Sequence, residues 1–163
     1  MSNFFRSSAV LLIILLTVVI QVLLTRYFPS LWLDLPLVAV LYLTIAKENL
    51  FWTIFSGTAV GFLQDSLSSG PLGMNGFTKI SIGCLAYMAN IIFAIDRVAT
   101  RWAMLFLSSF LASTLFLVLR ILFFNRNEMI EAERLFWSGL LNASIGLPLF
   151  YLFDRIIRPA GEV

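Results

Sequence analysis

Apolar residues run along this chain in long blocks, and short polar clusters cut them apart. About 20 apolar residues cross a bilayer as a helix. The first block, Ser7 to Thr25, carries no charge and fits one crossing. Arg6 before it resembles the basic start of a signal peptide. The apolar run is long for that role, and Arg26-Tyr27-Phe28-Pro29 follows in place of a small-residue cleavage site. A retained first span is expected.

The second block, Leu35 to Ala46, is short, about 18 Å at 1.5 Å per residue. Asp34 followed by Pro36 reads as a helix start, with Asp as cap and Pro in the first turn. Lys47-Glu48-Asn49 then makes a tight connection. The third span runs from about Leu50 to Gln64. The stretch Asp65 to Gly76 holds Gly70, Gly73, Gly76, Pro71 and three serines, a composition that breaks a helix. The fourth span is expected over Phe77 to Ile95, the fifth over Trp102 to Phe124 and the sixth over Leu135 to Phe153. Asn125 and Glu128 are spaced as a capping box, which predicts a short interfacial helix in the polar stretch Asn125 to Arg134. The expected fold is an all-α integral membrane bundle of six transmembrane helices, with a broken or re-entrant segment between helices 3 and 4. Residues 1–163 form a single polytopic membrane domain in this reading.

Composition supports lipid as the main solvent. Apolar residues are 60 % and charged residues 12 %, where a soluble domain holds about half and a quarter. Mean hydropathy is +0.95. A formal net charge of +2, with Lys and Arg scattered singly, gives no basis for nucleic-acid binding. Histidine is absent, which removes histidine metal sites, Ser-His or Cys-His nucleophile pairs and a histidine relay. The single Cys84 cannot form an internal disulfide and is expected to be inert packing.

With both termini cytoplasmic, Arg6, Lys47, Arg97, Arg101, Arg155 and Arg158 lie inside. Arg26, Arg126 and Arg134 lie outside, with Lys79 and Arg120 at or near the outer ends of their spans. Six against three to five follows the positive-inside rule.

Against this background Asp65 stands out. Gly57, Gly61 and Asp65 are spaced i, i+4, i+8, which places them on one helix face. Small residues at that spacing let another helix approach closely. One reading is helix packing with a polar cap. The other is a pocket or partner contact built around the broken backbone, which survives at membrane depth only where protein or a water-filled cavity shelters it. Asp65, Lys79 and Arg120 all fall toward the outer ends of their helices. An isolated charge at a helix centre costs roughly 2.5–3.5 kcal/mol of insertion energy. Either Asp65 pairs with Lys79 or Arg120, or the two cations extend to the outer headgroups. Asn142, in a sixth span that also carries Gly139, Ala143, Gly146 and Pro148, needs a hydrogen-bond partner across a helix. Gln21 and Asn90 are similar. Catalysis finds no acid–base pair to carry it, and Gly70 to Gly76 lacks the basic cluster of a phosphate loop. Gly57, Gly61, Asp65, Gly70, Gly73, Lys79, Arg120 and Asn142 are therefore structural or partner-contact candidates, with no catalytic, cofactor or metal role.

An ordered set of residues resembles a known family. Pro36 with Leu41-Tyr42, then Gly57-x3-Gly61-x3-Asp65, then Ser69-Gly70 and Leu72-Gly73, resembles MreD, the rod shape-determining membrane proteins. Chain length and the six short spans are similar too. The resemblance implies a non-enzymatic component of the bacterial inner membrane, in the rod complex that directs lateral cell-wall synthesis. It implies pairing with MreC, a single-span protein with a periplasmic domain, and association with MreB, RodA and its transpeptidase. It implies a fold similar to the S components of energy-coupling-factor transporters, and supplies neither a catalytic residue nor a cofactor. The rival expectation is a transporter-like subunit that binds a small molecule or lipid, with the break after Asp65 as its pocket mouth.

Overall fold

The computed structural model describes residues 3–28, 32–68, 71–93, 97–124 and 132–157. Among them are six helices: α1 (Asn3–Tyr27), α2 (Leu35–Lys47), α3 (Leu50–Leu67), α4 (Met74–Phe93), α5 (Val98–Phe124) and α6 (Ala132–Ile157). Four of these, α1, α4, α5 and α6, are long and apolar enough to cross a membrane. The shorter apolar α2 stands apart from them.

α2 is the centre of the molecule. It touches each of the other five helices, and every residue from Leu35 to Thr44 is buried. A helix that is apolar all round belongs in such a position. Its ends are set locally. The Leu37 amide donates to Asp34 Oδ1 at 3.1 Å, and Pro36 lies in the first turn, where no amide is needed. At the other end Glu48 adopts a left-handed conformation and its N–H donates to the Thr44 carbonyl at 3.2 Å. Asn49 then caps α3 through the Phe51 amide at 2.8 Å. Two residues thus reverse the chain between α2 and α3, as Lys47-Glu48-Asn49 predicted.

The α3–α4 seam depends on glycine. A Cβ on Gly61 would fall inside the backbone of Gly76, and one on Gly57 would lie 3.1 Å from Ile80. The two backbones are therefore closer than any side chain at Gly61 would permit. The glycine face is an internal seam, in agreement with the packing reading of its spacing.

The expected break between α3 and α4 is shorter in the structure. α3 continues through Asp65 to Leu67, and α4 already begins at Met74. Between them Ser68 and Pro71–Gly73 are the described non-helical residues, and Gly73 takes a φ of +93° that suits glycine. Gly70 lies outside the described residues, as does the capping-box stretch from Asn125 to Glu131.

The opposite end of the bundle closes on Asp154. Its Oδ1 accepts from the Tyr42 hydroxyl at 3.0 Å, and its Oδ2 lies 3.5 Å from Arg101 Nη1. Tyr42 also meets Phe150 and Phe153 edge to face. This contact ties α2, α5 and α6 together at the end that carries Lys47 and Arg155.

Candidate functional site: a polar junction beneath a cavity

α2 has 13 residues, about 20 Å of helix, whereas the hydrocarbon layer is about 30 Å thick. The shortfall lies at its N-terminal end. There the chain enters through the non-helical segment 32–34, and a cavity of about 920 Å³ opens beside it. The cavity is lined by the C-terminal ends of α1, α3 and α5 and by the N-terminal parts of α2, α4 and α6. It therefore sits at the end where each odd-numbered helix passes to the next.

A non-helical segment inside a bundle leaves backbone groups without helical partners. Side chains from α1 and α6 supply them. Gln21 Nε2 donates to the Leu33 carbonyl at 2.7 Å, and its Oε1 accepts from the Leu35 amide at 3.0 Å. Asn142 Oδ1 accepts from the Asp34 amide at 2.8 Å, while its Nδ2 donates to the Ser138 carbonyl at 2.9 Å. The Ser138 hydroxyl donates to the Trp32 carbonyl at 2.9 Å. The Arg134 guanidinium rests over the Trp32 ring, 5.4 Å from its centre. Gln21 and Asn142 thus bridge helices, as their position in apolar spans required.

Asp34 does two jobs in this junction. Oδ1 caps α2, and Oδ2 receives Lys79 Nζ at 3.0 Å. Lys79 is 1 % exposed, and the Asp34 side chain 31 %. Lys79 therefore neither pairs with Asp65 nor extends to headgroups, contrary to both expectations. The charge is too deep to reach an interface, and its counterion comes from the start of α2. The sequence carried a signal for this. Asp34 and Lys79 both begin even-numbered helices, so they fall at the same end of the bundle.

Asp65 is 2 % exposed and is met by amide donors in place of either cation. Gly73 N donates to Oδ2 at 2.7 Å, and Asn75 donates to Oδ1 through Nδ2 at 2.7 Å and N at 3.4 Å. These backbone donors belong to the first turn of α4. The α3 carboxylate therefore caps the next helix from outside, where the helix dipole favours negative charge. Gly57, Gly61, Asp65 and Gly73 form one unit, the α3–α4 link. Lys79 and Asn142 belong to the junction at Asp34. Arg120 lines the cavity from α5.

Two cavity-lining groups had no distinguishing motif. Ser109 is 1 % exposed, and neither its Oγ nor the buried Gln64 Oε1 has a hydrogen-bond partner among the described residues. Among the described residues no cluster of three His, Cys, Asp or Glu side chains could hold a metal ion.

Three comparisons bear on identity. No curated protein and no solved structure shows significant similarity to the chain. The family model for the rod shape-determining protein MreD matches residues 2–157. That match covers nearly the whole sequence and includes the α3–α4 link, the junction at Asp34 and the cavity. The chain belongs to the MreD family of rod shape-determining membrane proteins.

Proposed function

We propose that the protein is a non-enzymatic scaffold of the bacterial rod complex, placed in the inner (cytoplasmic) membrane with both termini in the cytoplasm. It docks the single transmembrane helix of MreC and, through MreC, helps position MreB, RodA and the partner transpeptidase for lateral wall synthesis. The family match over residues 2–157 carries this reading. The sequence count supports the orientation: six Lys and Arg residues fall inside against three to five outside.

The internal glycine seams sharpen the mechanism. Gly57 and Gly61 are occupied by α4, and Gly139 faces Phe106 of α5. A partner helix would then pack on larger side chains. α1 offers Leu12, Leu15, Leu16, Val19 and Leu23 on its exposed surface, suited to van der Waals packing in lipid. Co-expression with MreC, detergent extraction and size exclusion test the reading. The two proteins are expected to co-elute, and separate elution overturns it.

The cavity favours a second reading, a transporter-like subunit with an S-component-like fold that binds a small molecule or lipid. It has a space of about 920 Å³ lined by both polar and apolar side chains, within the usual range of ligand pockets. Such a subunit retains its ligand through purification without an obligatory partner.

A further inference from the structure

The cavity beside Asp34 reaches below the membrane surface. α2 has 13 residues, so with its Lys47 end at one edge of the hydrocarbon its start falls about 10 Å short of the other edge. Lipid chains at that depth offer no hydrogen bonds. The cavity wall nonetheless carries hydrogen-bonding groups throughout. Thr25, Gln64, Thr78, Ser113 and Ser138 reach it from five helices, α1, α3, α4, α5 and α6. Phe116 and Leu117 share the wall, which is mixed in character.

Asp34 has capacity to spare in this wall. Its Oδ1 accepts from the Leu37 amide and its Oδ2 from Lys79 Nζ. An ionised carboxylate offers about four acceptor sites, so sites remain for further donors on a side chain that lines the cavity. Ser109 Oγ and Gln64 Oε1 add two wall groups without a partner among the described residues. Polar groups of this kind are the ones that ordered water completes, whereas cavities that stay dry are apolar. An acyl chain in the same space would leave the carboxylate in hydrocarbon, where a charge is costly even when paired.

We propose that the cavity is an aqueous vestibule, closed at the Asp154 end of the bundle. It opens to the membrane face beyond the start of α2, the outer face in the orientation proposed above. It brings water and small hydrogen-bonding solutes to Asp34 at a depth that hydrocarbon fills elsewhere, and it excludes lipid chains. The vestibule stands whether or not MreC docks and whether or not a ligand is retained.

Cysteine accessibility of the full-length protein in native membranes tests it, with Cys84→Ala as background and a charged, membrane-impermeant methanethiosulfonate as probe. Ser113→Cys on α5 and Gln64→Cys on α3 line the cavity. Leu111→Cys and Phe62→Cys are the controls: exposed apolar positions on the same two helices, outside the cavity wall and within about 3 Å of the same depth. Both cavity positions should react, and from one side of the membrane only. The controls should react at least about tenfold more slowly, because each unit by which apolar surroundings raise a thiol pKa removes about nine-tenths of the reactive thiolate. Two cavity positions on different helices keep the test intact where one variant fails to fold. Cavity positions no faster than their controls overturn the proposal, as does reaction only after detergent is added, which would show lipid in the space. Reaction from both sides overturns the closed end. Reaction from the cytoplasmic side alone supports the vestibule and overturns the orientation, so the two failures are distinguishable.

Discussion

Lys79 Nζ lies 3.0 Å from Asp34 Oδ2, which joins the start of α4 to the start of the central helix. The ammonium is almost wholly buried, whereas the carboxylate is partly open to the cavity. Removing one partner of such a pair leaves the other uncompensated in a low-dielectric interior. That costs about 3–5 kcal/mol, and removing both together often costs much less.

Asp34→Ser keeps an oxygen to cap α2 but strands Lys79, and is expected to destabilise the protein by about 3 kcal/mol. Lys79→Met should cost less, because Asp34 retains the Leu37 amide and some solvent. The double variant should recover most of the loss. Thermal unfolding in detergent of all four proteins measures the coupling. Strictly additive losses would show that the two charges do not act as a pair.

Asp65 makes a different prediction, because its partners are amides. Asp65→Leu leaves the Gly73 and Asn75 donors without an acceptor and should cost about 3 kcal/mol. Asp65→Asn retains one oxygen and should cost roughly half as much. Hydrogen exchange should show the loss first in the opening turn of α4, at Gly73 and Asn75. Protection lost uniformly along α4 would contradict a capping role.

The glycines of the α3–α4 link should separate by mechanism. Gly61→Ala places a methyl in the Gly76 backbone, and overpacking of this kind costs about 1–3 kcal/mol or more. At Gly73 an added Cβ meets nothing, so alanine pays only for its left-handed φ, about 1–2 kcal/mol. Gly76 also has open space and lies in a helix, where alanine gains about 0.5–1 kcal/mol. Melting temperatures should therefore rank Gly61→Ala lowest and Gly76→Ala highest. A Gly61→Ala protein as stable as the parent would contradict the close approach of α3 and α4.

The ends of the helices were legible where the signals are local. Asp34 with Pro36, and Lys47 to Asn49, placed both ends of α2, because capping acts over three or four residues. The stretch from Asp65 to Gly76 misled for the same reason. Its glycines, proline and serines indicate a broken helix when read locally. A carboxylate eight residues before Gly73 caps α4 from a neighbouring helix, so both helices extend into the segment. Lys79 finds its counterion 45 residues away, at a distance that no spacing rule reaches. Ser109 and Gln64 have no motif at all. Their meaning comes only from the cavity left by the short central helix.

The proposed contact sets the MreC helix against exposed apolar side chains, because the small-residue faces are already used inside the bundle. Site-specific photo-cross-linking in cells tests this contact directly. A photoreactive residue is placed in turn at Leu15, Phe51, Ile91 and Leu122, all exposed apolar positions on different helices. The expected result is an adduct of MreC mass from one or two of these positions, unchanged when Ser109→Ala is introduced at the cavity. No MreC adduct from any lipid-facing position, in cells where both proteins are present, would contradict the account.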